Sequence, residues 1–444
     1  MQGYLIQGCF FFVMLTVVTV PLRAEKVVLE YWDKWTGTDA EAMQSIVDDF
    51  NASQDRIEVR YSAISMVDVK VMLAIAGRRP PDVAGLWSSK LANYVENNAL
   101  LPLDGRAMRA EVKEQDYVPS IWNLCHYRNH LWALPSTPYT LGLYWNKKLF
   151  RGAGLDPERG PRTIAELEEY NAKLTHLKSD GHGYQTFGYL PKEPGWWNSI
   201  WCRWFGGELW NGEDKITATS EGNRRAMEWF TGYSKRYGFA QVSTFLQESS
   251  APSSPLNPFI QGRLAMELNG PWFADVLRKF GPADFEFGVA PFPTLTGEGP
   301  PVTLVDTDIL TIPVGAPHPR EAFEFLRYVN RQDVAEKLCI ARCQISPLAQ
   351  VSDGFWKKHP NPCIRMFYDL AKSPGAQPMP RMTLWIEYDT ELTQAMDEMW
   401  ALRQTPEEGL RRVQERMQPK LDRSVDRWKN LSGKLEKIWA EEEK

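Results

Sequence analysis

A chain of 444 residues, 43% hydrophobic and 24% charged, is neither disordered, collagen-like nor a disulfide framework. It has material for two or three cores at roughly 150 residues each. The 51 Lys and Arg against 56 Asp and Glu give a net charge of −5 without a dominant basic run, so nucleic acid is not an expected partner. After residue 24 no apolar run is long enough to cross a bilayer, which excludes a multi-span membrane protein.

Phe10–Val20 has the length of a signal-peptide core, and Leu22-Arg23-Ala24 ends on a small residue suited to cleavage. Residues 1–9 carry no Lys or Arg, so the amino terminus is the only positive charge ahead of that block. The expectation is an export signal over 1–24 and a periplasmic or extracytoplasmic location, with an uncleaved membrane anchor as the alternative. Cys9 lacks the small-residue context of a lipoprotein. Without the signal, Cys125, Cys202, Cys339, Cys343 and Cys363 remain. An odd set leaves at least one free thiol, and both bridges and buried free cysteines stay open. There is no CxxC pair and the histidines are scattered, so no metal or cofactor is expected.

In chain order, Val27–Trp32 reads as a buried strand. Thr38 followed by Glu41 predicts a capping box opening a helix with Met43, Ile46, Val47 and Phe50 on one face. Ile57–Tyr61 alternates as a strand, Val67–Ala76 is helical, and Pro80–Leu86 is a loop feeding a short strand. Strand and helix in alternation call for an α/β sheet covered by helices. Cys125–Pro135 reads as two short strands around Arg128-Asn129. His126 and His130 flank that turn and lack the Glu of a zinc-peptidase helix. Thr140–Trp145 is a strand and Asn146–Gly154 a short helix. Thr163 with Glu166 caps a helix to about Leu177.

Tryptophans 196, 197, 201, 204 and 210 follow, then a Ser/Pro-rich loop over Ser249–Pro258. Phe259–Trp272 reads as helix then turn, Phe285–Ala290 and Ile309–Val314 as strands, and Arg320–Val329 as an amphipathic helix. From Thr383 the chain is almost entirely helical, with a strong start at Thr405-Pro406-Glu407-Glu408.

No catalytic constellation stands out: Gly-x-Ser-x-Gly, P-loop and Gly-x-Gly-x-x-Gly patterns are absent. With 56 acids, any two carboxylates could be nominated for glycoside hydrolysis, so that signal has no specificity. The placement of aromatics is more informative. Trp35 and Trp87 follow strands and Trp272 lies in a Gly270-Pro271-Trp272 turn. Ligands of open α/β sheets collect at such carboxyl ends. Indole faces there suit the C–H faces of a sugar, with neighbouring polar groups bonding its hydroxyls. Trp35, Trp87, Trp272 and one of Trp196 and Trp197 are therefore assigned to ligand. Trp201, Trp204, Trp210, Trp229 and Phe230 are assigned to core.

An ordered set of short pieces resembles the family 1 extracellular solute-binding proteins of ABC importers, the group containing the maltose- and glycerol-3-phosphate-binding proteins. It comprises the opening strand with Trp35-Thr36-Gly37, Pro81-Asp82-Val83, Leu131–Pro135, Leu143–Lys147, Ala153-Gly154-Leu155 and Arg162–Leu167. Phe259–Met266 ending in Gly270-Pro271-Trp272, Gly288–Pro293 and Glu321–Phe325 complete it.

The resemblance implies a two-lobed periplasmic-binding-protein fold of class II type, each lobe a sheet flanked by helices, joined by a multi-segment hinge. Crossings are expected near Thr137–Thr140, Ala290–Pro293 and Asn330–Asp333. One lobe would then comprise 25–137 and 291–331, the other 138–290 and 332–444 with a helical region over 383–440. Trp272 matches a stacking tryptophan of maltose-type members, and Trp196 or Trp197 falls where they carry a cleft aromatic. Asp306 and Asp308 replace a glycine-rich segment and could bring carboxylates to the ligand. The full expected ligand set is Asp33, Trp35, Thr36, Trp87, Ser88, Tyr139, Trp196, Trp197, Trp272, Asp306, Asp308, Arg381 and Trp385.

The implied function is non-enzymatic: a monomeric exported protein that captures a carbohydrate, an oligosaccharide, and delivers it to ABC permease subunits by hinge closure. Three alternatives stand beside it. They are the same fold binding a phosphorylated polyol or other anion, a secreted carbohydrate-active enzyme, and a receptor module presenting ligand to a membrane sensor.

Overall fold

The computed structural model describes residues 26–248 and 253–442; the expected export signal and residues 249–252 of the Ser/Pro-rich loop lie outside them. β1 (Val27–Asp33), α1 (Gly37–Ser53), β2 (Ile57–Ala63), α2 (Val67–Ala76) and β3 (Val83–Trp87) open the chain, and β1 pairs in parallel with both β2 and β3. Parallel neighbours need crossovers, which the two helices supply. α1 buries Met43, Ile46, Val47 and Phe50, as its periodicity requires. The expected box at Thr38 is not the cap. Gly37, at φ 59°, turns the chain into the helix with Thr36 as N-cap, so Thr38 already lies in the first turn.

α3 (Leu91–Glu96), α4 (Asp104–Arg109) and α5 (Pro119–Leu124) lead to a hairpin of β4 (His126–Tyr127) and β5 (His130–Leu131). Arg128 and Asn129 take φ of 51° and 63°, as a two-residue turn with the right twist demands. His126 bonds the Trp122 carbonyl and His130 lies between Asp104 and Glu436, so the two are not a metal pair.

β6 (Ala133–Thr140) runs into β7 (Gly142–Asn146), where a second sheet begins. Its region contains α6 (Lys147–Gly152), α7 (Ile164–Leu174), β8 (His176–Leu177), β9 (Tyr184–Tyr189), α8 (Glu221–Tyr237), α9 (Phe239–Gln247), β10 (Leu264–Asn269), α10 (Phe273–Phe280) and β11 (Phe287–Ala290). The strand order is β11-β7-β10-β9-β8. β10 corrects the expected helix over Phe259–Trp272. All six of its residues are buried between β7 and β9, and a short run covered on both faces has no period to separate strand from helix.

β12 (Val302–Thr311) returns to the first sheet and begins seven residues before the expected Ile309. α11 (Pro319–Val329), α12 (Gln332–Ala341), α13 (Asp353–Lys358), α14 (Ile364–Ala371), β13 (Gly375–Gln377), α15 (Trp385–Trp400) and α16 (Pro406–Glu442) follow. The first sheet is ordered β13-β12-β3-β1-β2, with β6 also on β12. α16 starts as its sequence predicts: Thr405 Oγ1 accepts from Glu408 N at 3.2 Å, and Glu408 accepts from Thr405 N at 2.9 Å.

Each sheet has its own apolar core. Leu29, Tyr31, Val47, Leu86 and Phe325 belong to the first, and Leu143, Tyr144, Phe187, Met266 and Phe273 to the second. The result is two lobes, each a sheet flanked by helices. The β6–β12 ribbon passes from one to the other, because Leu304 and Val305 pack in the second core while Ile309 and Leu310 pack in the first. α12 packs Val334, Ala335 and Leu338 into the first core. α16 packs Met417 and Leu421 into the second and Leu435 and Trp439 into the first. All five described cysteines are free thiols. No helix among the described residues is long and apolar enough to cross a membrane.

Candidate functional site

Asp33 ends β1 and Trp87 ends β3, so the loop beyond each strand lies at the carboxyl edge of the first sheet. Trp35 and Trp87 stand edge to face, 6.3 Å between ring centroids. Between them lies Lys34, whose side chain is only 3% exposed; its ammonium sits 5.3 and 5.1 Å from the two rings. The same ammonium is 3.0 Å from Asp308 and 3.5 Å from Asp33. Burial pushes the Asp33 carboxyl up. Lys34, Arg342, the Lys34 N–H and the Tyr31 hydroxyl outweigh it and hold Asp33 below the ordinary carboxylate range. Gly85 of β3 makes room for this carboxylate, since a Cβ there would lie 2.5 Å from Asp33 Oδ1.

β12 brings up the two remaining acids. Asp308 is opposite Trp87 in the ladder and accepts from Trp35 Nε1 at 2.5 Å and from Thr137 Oγ1 at 2.8 Å. A register shift between Thr307 and Ile309 accompanies this double use of the strand. Asp306, opposite Tyr139, accepts from the Ser88 hydroxyl, the Thr307 N–H (2.8 Å) and the Tyr139 hydroxyl (3.2 Å). Burial outweighs these bonds and pushes Asp306 up to about 6.

Tyr139 reaches the second lobe as well. Its ring stands edge-on to Trp272 at 5.2 Å, and its hydroxyl is hydrogen-bonded to the Trp197 side chain. Trp197 and Trp196 follow β9, and Trp272 follows its parallel neighbour β10, so both segments leave one edge of the second sheet. Trp272 lies 6.0 Å from Trp197 and 6.4 Å from Trp196. Trp197 is buried, whereas Trp196 is 48% exposed and presents the accessible indole of the group. Glu193, at the root of this loop, is buried, which pushes its carboxyl up to about 7. A Cβ on Gly270 would lie 2.0 Å from Cζ3 of the Trp272 ring. Gly270→Ala is therefore expected to lose about 1–3 kcal/mol from overpacking and to shift tryptophan emission, as read by urea unfolding and fluorescence.

The structure thus brings together Asp33, Trp35, Trp87, Ser88, Tyr139, Asp306 and Asp308, with Trp196, Trp197 and Trp272 reached through Tyr139. Thr36 is exposed beside them as the α1 N-cap. Two expected members lie elsewhere. Trp385 is 3% exposed in the second core against Tyr388, because it opens α15 on the face that packs inward. Arg381 donates to the carbonyls of Asn123 and His126 and lines a separate cavity of about 330 Å³ with Arg203 and Trp210. Larger cavities of about 430 and 660 Å³ flank the proline-rich segment 291–301, away from the aromatic groups. Lys34, Thr137, Arg342 and Glu193 were not expected at the site. Lys34 carried a signal in its position between two nominated residues, and Thr137 in its place at an expected crossing; Arg342 and Glu193 were not nominated.

The model of the family "Bacterial extracellular solute-binding protein" matches residues 34–336. Among characterised relatives, the maltotriose-binding protein of Pyrococcus abyssi is 21% identical over 79% of this chain and 74% of its own length. The sn-glycerol-3-phosphate-binding periplasmic protein of Escherichia coli (strain K12) is 26% identical over 38% of this chain and only 39% of its own length. Among solved structures, CpMnBP1 with mannobiose bound superposes with a TM-score of 0.78 at 25% identity, covering 88% of this chain and 99% of that one. The sugar-binding protein MalE of Xanthomonas citri superposes at 0.75 with 20% identity, over 90% and 98%. With two lobes bridged by a strand ribbon and a family match spanning most of its length, the chain belongs to the bacterial extracellular solute-binding proteins.

Proposed function

We propose that the protein is exported, captures an oligosaccharide between its lobes as a monomer, and hands it chemically unchanged to the membrane permease of an ABC importer. The observation that carries this reading is the half-exposed Trp196, backed by Trp197 and Trp272 and tied through Tyr139 to the polar strand Asp306–Asp308. An apolar plate beside fixed hydrogen-bonding groups is the pairing that a sugar ring requires. A ligand touching both lobes binds the closed form better than the open one and shifts the population toward it.

The relatives whose names specify maltotriose and mannobiose support a carbohydrate ligand. An anionic ligand is less well served, since Lys34 and Arg342 each already face Asp33 and Asp308. The proposed lobes are 25–137 with 291–331, and 138–290 with 332–444. Within that division, α12 and the end of α16 lean on the first core.

A melting-temperature screen against maltotriose, mannobiose and sn-glycerol 3-phosphate tests the reading. A sugar is expected to raise the melting temperature and to be recovered intact by mass spectrometry. Trp196→Ala should weaken that sugar by about tenfold or more, some 1.4 kcal/mol, with little change in the ligand-free melt. Cleavage of the sugar, or a response to the phosphate ester alone, overturns it.

A further inference from the structure

α12 ends at Ala341, and the next two side chains meet opposite lobes. Arg342 is 4% exposed. Its Nε and Nη2 donate to the Asp39 carbonyl of α1 at 3.0 and 2.8 Å, and Nη1 reaches Thr137 of β6 at 3.5 Å. The guanidinium lies 3.7 Å from Asp33 of β1 and 3.6 Å from Asp308 of β12. One side chain therefore touches four elements, α1, β1, β6 and β12, around Lys34 and Trp35, the last of them pairing with the β3 strand that carries Trp87. It is not itself a ligand contact, because its donors face groups of the protein.

Cys343 points the other way. Its thiol donates to the Pro271 carbonyl at 3.3 Å, beside the first turn of α10, where the Asp275 N–H donates to the Trp272 carbonyl at 3.0 Å. Asn361 Nδ2 donates to the same Pro271 carbonyl at 2.8 Å. Pro271 immediately precedes Trp272, so Cys343 anchors the turn that presents the second aromatic group. The step between the two residues is stiff. Cys343 holds φ 52°, a left-handed conformation with little freedom for a side-chain-bearing residue. Moving Arg342 would leave the buried Asp33 and Asp308 with only one of their two cations, Lys34.

We propose that Arg342 and Cys343 form a two-residue positioning joint that sets the ligand-free separation of the two aromatic groups, Trp35–Trp87 and Trp197–Trp272, from which closure on a ligand starts. The joint rests on the interlobe-cleft reading, but its operation needs no sugar.

Nitroxide labels at Leu73→Cys in α2 and Leu177→Cys in β8 report the lobe-to-lobe distance by double electron–electron resonance. Both positions are exposed, at 66% and 56%. Cys363, the half-buried native thiol, is changed to Ser in every protein measured. Ligand-free protein should give one narrow distribution. Cys343→Gly frees the left-handed step and removes the thiol. Arg342→Lys keeps a charge near Asp33 and Asp308 but loses the fork on Asp39. Each is expected to broaden the distribution toward longer distances while the melting temperature stays near that of the parent, a separation that a purely structural role would not produce. Parent-like distributions in both variants overturn the joint. Because no ligand is added, this outcome is independent of the sugar screen: a joint that loosens in a protein responding to no sugar refutes only the carbohydrate reading.

Discussion

Replacing Asp308 by alanine is expected to lower folding stability by about 3–5 kcal/mol, read as a shift of the urea unfolding curve. The carboxylate faces two buried cations, Lys34 and Arg342, and accepts from Trp35 Nε1 and Thr137 Oγ1. Its removal leaves Asp33 as the one close carboxylate for both cations, and takes the acceptor from the buried Thr137 hydroxyl and the partly buried Trp35 N–H. Asp308→Asn keeps an acceptor for the indole and the hydroxyl, and should fall between wild type and alanine. A loss below about 1 kcal/mol for the alanine variant would mean that the charge cluster relaxes far more than its burial allows. The acid limb adds a second check. Because the Asp33 pKa is depressed in the fold, its contribution is present above the ordinary carboxylate range and is lost as pH falls through the depressed value.

The opposite sign applies to Glu193, whose carboxyl burial pushes up to about 7. Its contribution is fully present below the unfolded carboxylate value of about 4.3 and is lost as pH rises toward 7. At pH 8 the fold therefore carries a penalty of about 3 kcal/mol at this position. Glu193→Gln removes the ionisation and should be more stable than wild type by about 2–3 kcal/mol at pH 8, with the two proteins converging near pH 4.5. Glu267, fully buried in β10 and facing Glu193, is raised in the same sense by its own burial and then by that neighbour. It keeps a residual slope in the variant. Parallel stability–pH curves for wild type and variant would place Glu193 in water.

Much of the first lobe could be read from residue order because burial there is one-sided. Met43, Ile46, Val47 and Phe50 recur at helical spacing, and the Arg128-Asn129 turn announces its hairpin. β10 was opaque because a strand covered on both faces shows a continuous apolar run, and the one charged residue in it, Glu267, faces inward. The loops of Trp35 and Trp87 could be recognised from the strands they follow and that of Trp272 from its Gly270-Pro271 turn, while the strands ahead of Trp196 and Trp272 could not. Nor could the convergence of these loops through Tyr139, because it depends on two sheets meeting. Lys34 and Arg342 escaped for a general reason: charged side chains are usually solvated, and only a folded neighbourhood of carboxylates reverses that expectation. Trp385 misled in the other direction, since an aromatic near a helix start looks alike whether it faces a cleft or a core.

α16 has a mechanical consequence. Its 37 residues make a rod of about 55 Å, bolted to one lobe by Met417 and Leu421 and to the other by Leu435 and Trp439, the latter set against Trp132 and Asn98. A beam fixed at both ends resists any change of angle between its supports. Pro419 removes one rung of the backbone ladder, but it lies inside the second-lobe fixing, between the buried Met417 and Leu421; the span between the two fixings, from Leu421 to Leu435, has no buried side chain. Bending when the lobes rock should therefore fall in that less buried span, while the proline turn is held by its own lobe.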